Sequence, residues 1–283
     1  METYTFKLAE LSFQLQIDWP IRVDEKFKDF LIDNAAPCQE RVNIVTLDRF
    51  PDHPAPAAWY QNRGETLWNG QRCILHRLTD ASPAPYLMVC YEAQGRRLCY
   101  LTGDSEVPRS MSNIFNDLSL EEMLLRQNAC ILHSSFIRHQ GRGILFSAPS
   151  GTGKSTQADL WQKYMDAEIL NGDRSILRKS NGRWTAYGLP FAGSSEIFRN
   201  ESAPISAIVM LAQGPENRIS PLSPAQAFRR ILPEVTLHRW DSSFMNQGMD
   251  LIMSLLCDVP VFLLSCRPDK GAVDLLHHTI QEV

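Results

Sequence analysis

The stretch ILFSAPSGTGKSTQADLW, residues 144–161, runs from an apolar segment typical of a strand into a pattern typical of a helix, with small and hydroxyl residues between them. Gly151 and Gly153 let backbone N–H groups converge on one point, and the start of a helix carries partial positive charge. Lys154 adds a full positive charge, and Ser155 offers a hydroxyl to a metal ion. The stretch therefore predicts an anion site of the phosphate-binding loop type.

The predicted phosphate contacts are Ser150, Gly151, Thr152, Gly153, Lys154, Ser155 and Thr156. One position departs from the usual pattern, because Ala148 stands where the first glycine is expected. The alternative interpretation is an ordinary strand-to-helix turn.

The composition is that of an ordinary globular chain. Of its 283 residues, 44% are hydrophobic and 21% are charged, which suffices for the cores of one large or two modest domains. The net charge of −4 gives no electrostatic reason to expect binding to nucleic acid or to a membrane surface. The apolar runs are too short to cross a bilayer, and the first residues, METYTFKLAELSF, do not have the pattern of a signal peptide. We expect a cytoplasmic protein.

The seven cysteines are scattered, form no C-x-x-C pair and lie mostly in apolar runs. They indicate buried thiols in a reducing compartment, rather than a disulfide framework or a zinc site.

Residues 1–105 are predicted to form an antiparallel, β-rich domain. Short runs of strand type fill this region, and Asn69-Gly70 and Gln94-Gly95 have the sequence of hairpin turns. The segment DEKFKDFLI, residues 24–32, predicts a short helix. This domain shows no catalytic constellation.

Residues 106–283 are predicted to form an α/β domain with a mixed sheet. Helical patterns follow the loop and recur over residues 223–232, 242–257 and 270–283. A hairpin leading into the loop and another at Asn181-Gly182 interrupt the alternation of strand and helix. The fold class expected for the whole chain is an antiparallel β-rich unit followed by a phosphate-loop α/β domain.

A loop that binds a nucleotide with Mg²⁺ needs a carboxylate beside it. Asp173 ends the apolar run AEILNGD, and it is the first acid to do so after the loop. The intervening helix and strand are long enough to return the chain to the loop, where Asp173 could coordinate Mg²⁺, accept a proton from a hydroxyl, or do both. The alternative is a turn aspartate in the pair Gly172-Asp173.

Two further features are candidates for the same site. His133 lies on the strand before the loop strand, so a hairpin would bring it near Ala148; a structural histidine is the alternative. The segment AYGLPFAGSSEI, residues 186–197, contains Gly188, Gly193, Ser194, Ser195 and Glu196. It could close over a substrate or bind a phosphate with its backbone, and Glu196 could supply a second carboxylate. The alternative is that it serves only as the exit of a hairpin.

The order of these parts resembles the HPr kinase/phosphorylase family and its relatives. These relatives are serine kinases, HPr-kinase-like enzymes that modify ribosomally made peptides and, more distantly, phosphoenolpyruvate carboxykinases. The resemblance is carried by LHSSFIRHQGRGILFSAPSGTGKST, AEILNGD and YGLPFAG, and it covers roughly residues 119–200. It implies a P-loop kinase domain of the HPr-kinase type.

Carried over by position, the resemblance assigns roles to individual residues. Gly151 to Thr156 match the ATP phosphate loop, with Ser155 on Mg²⁺, while His133 matches the active-site histidine. The family has a pair of adjacent acids, of which the first is taken as the catalytic base. Asp173 matches the second acid of this pair, and Gly172 occupies the position of the first. The signature of HPr kinases after the next hairpin is replaced by YGLPFAGSSEI, so HPr is not the expected substrate.

These features predict an ATP- and Mg²⁺-dependent kinase that phosphorylates a hydroxyl, either Ser or Thr of a peptide or protein or a small molecule. Lys154 would hold phosphate, Ser155 and Asp173 the metal, and Asp173 or His133 would take the proton. The alternative is a nucleotide-binding sensor that transfers no phosphate, and the glycine at position 172 favours this sensor. A third hypothesis is a plain NTPase. The sequence is compatible with a homo-oligomer and does not identify the acceptor.

Overall fold

The computed structural model describes residues 1–93, 95–102, 107–191, 193–239 and 241–282. The chain divides into two compact units, Met1–Leu120 and Glu121–Val283. Four predicted features fall wholly or partly outside the described residues: the domain boundary at residue 105, Gln94 of a hairpin turn, Ala192 of the segment 186–197, and Val283 at the end of the helix predicted over residues 270–283. No helix in the described ranges is both long enough and apolar enough to cross a membrane.

The first unit is built around one sheet. Its strands are β1 Glu2–Leu8, β2 Leu11–Ile17, β3 Leu31–Ile32, β4 Glu40–Leu47, β5 Trp59–Tyr60, β6 Arg63–Trp68, β7 Gln71–His76, β8 Leu87–Glu92 and β9 Gly95–Leu101. Across the described part of the sheet they lie in the order β3-β1-β2-β4-β9-β8-β7-β6-β5. Among the described residues, the helices α1 Glu25–Lys28 and α2 Met111–Asp117 belong to this unit, and α3 Leu120–Leu125 spans the division between the units.

The first sheet is mixed, so the expectation of a purely antiparallel domain is wrong. β2 pairs with β4 in parallel, and β4 pairs with β9 in parallel. The turn Asn69-Gly70, with φ of 49° and 75°, does form the hairpin β6–β7, and α1 forms within the segment expected to be helical. Local turn signals predict hairpins, but parallel neighbours are joined by long connections that no turn sequence marks.

The second unit alternates strands and helices around another mixed sheet. Its strands are β10 Ala129–His139, β11 Arg142–Ser147, β12 Glu168–Asn171, β13 Arg174–Ser180, β14 Arg183–Tyr187, β15 Ser202–Gln213, β16 Arg218–Pro221 and β17 Val261–Cys266. Its helices are α4 Lys154–Met165, α5 Pro224–Ile231, α6 Ser242–Asp258 and α7 Lys270–Gln281, with 3-10 turns at Gly193–Ser195 and Leu232–Glu234. A mixed α/β fold was expected for this part of the chain.

Strand pairing in the second unit closes part of the sheet into a ring. The first half of β10 pairs with β13 and the second half with β11. From β13 the pairing continues through β14 to β15, which returns to β11 in parallel. The central position of β10 therefore fixes the end of β11 and the start of β13 close to one another.

Helices pack on both faces of this sheet. On β11, Leu145 belongs to the buried cluster that includes residues of α5 and α6. Its neighbours Ile144 and Phe146 belong to the cluster that includes residues of α4 and α7. Because side chains alternate between the faces of a strand, an all-apolar run such as ILF is what a strand covered on both faces requires.

Candidate active site

The loop between β11 and α4, residues 148–153, is here termed the glycine loop. Its two glycines have positive φ angles, 79° at Gly151 and 117° at Gly153, and an added Cβ would meet nothing within 4 Å at either position. Lys154 is the first residue of α4, followed by Ser155 and Thr156, whose side chains are exposed. The N–H groups of a first helical turn have no acceptor within the helix, so this end of α4 offers donors and partial positive charge to an anion.

Lys154 is buried and folds back over the glycine loop. Its Nζ donates hydrogen bonds to the carbonyl oxygens of Ala148, at 2.8 Å, and Pro149, at 3.4 Å. Burial lowers the pKa of Lys154, while the negative charges of Glu234 and Asp173 act to raise it. The ammonium group therefore lies within electrostatic reach of two carboxylates that are distant in sequence.

His133 lies between those same two carboxylates. Its Nδ1 is 3.1 Å from Oε2 of Glu234, and its Nε2 is 3.6 Å from Oδ1 of Asp173. A hydrogen bond from Nδ1–H to Glu234 would fix the tautomer that leaves the Nε2 lone pair facing Asp173. Such a group can accept a proton, or can share one with the carboxylate.

The strand pairing of β10 explains why these groups meet. His133 is opposite Arg174 on β13, and the next residue, Ser134, is opposite Ser147, the last residue of β11. The Ser147 hydroxyl donates to the His133 carbonyl at 2.8 Å. The structure thus brings together His133, Asp173 and Lys154, three residues that the sequence analysis proposed for one site.

Asn171 holds the turn that carries Asp173. It is fully buried at the end of β12, and its Oδ1 accepts hydrogen bonds from the N–H groups of Asp173, at 2.9 Å, and Arg174, at 3.0 Å. Its Nδ2 donates to the carbonyl oxygens of Leu189, at 2.8 Å, and Phe191, at 3.0 Å. One amide therefore joins the Asp173 turn to the segment 186–197.

The segment 186–197 packs against Asp173 at Gly193. At Gly193 an added Cβ would lie 2.9 Å from the Cβ of Asp173, and the backbone has a φ of 55°. The side chain of Glu196 is exposed, and no contact with Asp173 or His133 accompanies it in the described residues. The second carboxylate beside His133 is Glu234.

A separate set of contacts positions Glu234. The next residue, Val235, pairs with Leu132 of β10, and the Thr236 N–H donates to the Ile131 carbonyl at 2.9 Å. His238, which is buried, lies between Glu121 and Glu122 of α3, with 2.9 Å between its Nδ1 and Oε1 of Glu122. Burial alone would lower the pKa of His238, but the hydrogen bonds and charges of the two glutamates outweigh it and raise this pKa above its ordinary value.

The side chains present are compatible with Mg²⁺ that arrives with a nucleotide. No group of three or more His, Cys, Asp or Glu side chains is arranged to hold a metal ion in the described parts of the chain. Mg²⁺ bound with a nucleotide usually takes one or two carboxylates and keeps phosphate oxygens and water as its other ligands. The carboxylate of Asp173 and the exposed hydroxyl of Ser155 are oxygen donors of the kind this arrangement uses.

Glu234 and Asn171 were not predicted from the sequence as parts of the site. Glu234 follows Asp173 by about sixty residues and lies in Leu-Pro-Glu, which matches no motif. Asn171 did have a signal, because Asn-Gly-Asp is a sequence in which an asparagine side chain bonds the backbone two residues on.

Comparison with known proteins places the chain in a family. The family model described as "SynChlorMet cassette protein ScmC" matches residues 98–267, well over half of the chain. The chain therefore belongs to the ScmC family. No curated protein matches it.

Among solved structures, the HPr(Ser) kinase/phosphatase from Coxiella burnetii is similar to this chain. The match covers 54% of this chain and 88% of that one, with 13% sequence identity and a TM-score of 0.30. A likeness of this strength supports no inference about activity.

The role of Asn171 can be tested by removing its two donors. In Asn171→Asp, a fully buried carboxylate would face the carbonyl oxygens of Leu189 and Phe191, so we expect the free energy of unfolding to fall by about 3 kcal/mol or more. The matched control is Asn181→Asp at the exposed turn between β13 and β14, expected to change stability by less than about 0.5 kcal/mol. Urea unfolding of both variants makes the comparison, and equal stability losses would contradict the role given to Asn171.

The His238 cluster predicts a pH dependence of stability. Because the folded-state pKa of His238 is raised, its protonated form stabilises the fold fully below the unfolded pKa of 6.5, and this contribution is lost as the pH rises through the folded-state pKa. We therefore expect the stability difference between the wild type and His238→Gln to be largest just below pH 6.5 and to shrink at higher pH. Urea unfolding across about pH 5 to 9 measures it. A stability difference that stays constant or grows with pH would contradict the statement that Glu121 and Glu122 stabilise protonated His238.

Proposed function

We propose that this protein is a kinase that transfers the γ-phosphate of ATP to a hydroxyl group. The observation that carries the proposal is the convergence of the glycine loop and Lys154 with His133, Asp173 and Glu234. A phosphoryl transfer site needs positive donors for the phosphates and an adjacent acceptor for the hydroxyl proton. This arrangement supplies the positive donors and the proton acceptor at the same end of one sheet.

The donor side of the site would use the glycine loop and the start of α4. Backbone N–H groups from Gly151 to Thr156 and the ammonium of Lys154 would bind the β- and γ-phosphates of ATP. Lys154 donates to carbonyl oxygens of its own loop in this structure. Phosphate oxygens would replace these neutral acceptors with charged ones, which form stronger hydrogen bonds. Ser155 and Asp173 would hold Mg²⁺, which supplies charge neutralisation at the phosphates when bound.

The acceptor side would use the His133 cluster. The acceptor hydroxyl would give its proton to the Asp173 carboxylate or to Nε2 of His133 while its oxygen forms a bond to the γ-phosphorus. The bond from that phosphorus to the bridging oxygen breaks, and ADP leaves with the electron pair. Glu234 would hold the imidazole in the orientation that this proton transfer requires.

A nucleotide-binding sensor is the second candidate, and the glycine at position 172 favours it. Glu234 supports the kinase instead, because it adds to the cluster a second carboxylate that the sequence around Gly172 does not provide. The acceptor is proposed to be a Ser or Thr hydroxyl of a peptide or protein, with a small-molecule hydroxyl as the alternative. The resemblance to HPr-kinase-like enzymes agrees with this class of acceptor.

The substitution Asp173→Asn separates the kinase from the sensor. The amide keeps the shape of the side chain but loses its charge, so ATP should still bind while transfer of labelled γ-phosphate falls by at least about 10²-fold, the low end of what a positioned proton acceptor contributes. The matched control is Asp166→Asn at the exposed end of α4, where φ is 53° and asparagine is well tolerated, and it should transfer phosphate normally.

The assay incubates γ-labelled ATP with the protein and with peptides and extracts from its own source. Equal transfer by Asp173→Asn and wild type would remove Asp173 from the mechanism. A wild type that binds ATP and labels nothing across a broad acceptor set would favour the sensor.

A further inference from the structure

Three buried thiols lie on neighbouring strands of the sheet in the first unit. Cys73 is on β7, Cys90 on β8 and Cys99 on β9, and none of the three is more than 2% exposed. These three residues, here termed the thiol cluster, share one buried core with Leu75 and Met88. All seven cysteines of the chain are free thiols in this structure. The proposed transfer of phosphate uses none of the three.

Strand register sets Cys73 opposite Cys90. The two residues are direct partners in the antiparallel pairing of β7 with β8. Direct partners in such a pair have Cα atoms about 4.5 to 5.5 Å apart, inside the range of about 4.4 to 6.8 Å that disulfides span. The two Sγ atoms are 2.8 Å apart, and a hydrogen bond joins the thiols. The backbone therefore already has the separation that a bond between these two sulfurs requires.

Cys99 has a different relation to Cys90. Its direct partner on β8 is Met88, while Cys90 is opposite Arg97. Cys90 and Cys99 are therefore diagonal neighbours, which in a regular sheet lie about 7 to 8 Å apart, beyond the usual reach of a disulfide. The register thus favours a bond between Cys73 and Cys90, although Cys90 also has a hydrogen bond with Cys99.

The surroundings give the sulfurs of Cys73 and Cys90 different chemistry. The thiolate is the form of cysteine that attacks other atoms. The hydrogen bond with Cys90 lowers the pKa of Cys73, against the opposing effect of burial. The hydrogen bonds with Cys73 and Cys99, together with burial, raise the pKa of Cys90. Cys73 is therefore the thiol that ionises more readily, and Cys90 is the one that keeps its proton.

The cover over the thiol cluster includes a segment outside the sheet. Phe50, Trp59 and Trp68 pack on the core that contains the three thiols. Residues 51–56, between Phe50 and Trp59, have no regular secondary structure and include three prolines, which have no N–H to donate to a strand. Segments outside the hydrogen-bonded ladder open at a lower free energy than the sheet itself. Opening of this segment would give a small reagent access to the thiols while β7 and β8 stay paired.

We propose that Cys73 and Cys90 are a site of reversible oxidation, at which a peroxide converts the two thiols into one disulfide. The Cys73 thiolate attacks one oxygen of hydrogen peroxide and becomes a sulfenic acid. The other oxygen leaves as hydroxide, which takes up the proton that Cys73 gave up and becomes water. The Cys90 sulfur then attacks the Cys73 sulfur, and the sulfenic oxygen leaves with the Cys90 proton as a second water. The two sulfurs together lose the two electrons that reduce the peroxide, and the product links β7 to β8.

Treatment of the folded protein with hydrogen peroxide tests this site. After a limited dose, the remaining thiols are blocked with N-ethylmaleimide in denaturing urea, and a tryptic digest is analysed by mass spectrometry. Cleavage after Arg77 and Arg96 puts Cys73, Cys90 and Cys99 in three different peptides. We expect a pair of peptides joined through Cys73 and Cys90, with Cys99 alkylated, and dithiothreitol should restore both thiols.

Two variants make a matched comparison, because each removes one thiol of the same cluster. Cys73→Ala should form no disulfide within the cluster, whereas Cys99→Ala should form the bond between Cys73 and Cys90 as the wild type does. Urea unfolding gives a second measurement. Peroxide-treated wild type should unfold at a higher urea concentration than the same sample after dithiothreitol, since a disulfide restricts the unfolded chain. Cys73→Ala should show no such shift.

Wild-type protein alone decides between the outcomes, whether or not either variant folds. Cys257 is an exposed thiol, and its oxidation shows that the dose of peroxide is sufficient. If Cys257 is oxidised while all three thiols of the cluster are alkylated, the inference is wrong. A bond between Cys90 and Cys99, or a bond between Cys73 and Cys90 that forms only in denaturing urea, overturns it as well. None of these measurements needs phosphate transfer, so they stand apart from the tests of the proposed function.

Discussion

The four hydrogen bonds of the Asn171 side chain are the constraint on which the candidate site depends. They join the backbone of Asp173 and Arg174 to the carbonyls of Leu189 and Phe191 through one fully buried side chain. Without them, the turn that presents Asp173 and the segment that packs on it would need other partners for two backbone N–H groups and two carbonyl oxygens. Because buried amides and carbonyls are costly to leave unpaired, one side chain determines the conformation of two loops.

The charges of the site are arranged around that turn. Lys154 bonds two carbonyls of its own loop, and the negative charges of Asp173 and Glu234 oppose the effect of burial on its pKa. His133 lies between the same two carboxylates. A polyanion at the glycine loop would therefore meet positive charge at Lys154, while the adjacent carboxylates and imidazole stay available for a proton. The kinase proposal requires this division between a positive group that binds phosphate and neighbouring groups that can accept a proton.

Sequence and structure agree where the deciding interactions are local. The strand, glycine loop and helix of residues 144–161, the hairpins at Asn69-Gly70 and Asn181-Gly182, and the later helices all follow from short patterns. The parallel pairing of β4 could not be predicted, because the connections to its neighbours carry no turn signal. Glu234 was missed for a related reason: it reaches His133 only through the pairing of Val235 with Leu132, a contact about a hundred residues apart in sequence.

We propose that the glycine loop with Lys154 binds the phosphates of ATP, and calorimetry on Lys154→Ala is the sharpest test of this proposal. The control is Lys163→Ala, which removes an exposed lysine from the same helix. We expect Lys154→Ala to weaken ATP–Mg²⁺ binding by at least about tenfold, as for loss of a hydrogen bond to a charged group, while Lys163→Ala binds as the wild type does. Equal affinity of wild type and Lys154→Ala would show that Lys154 does not bind the phosphates.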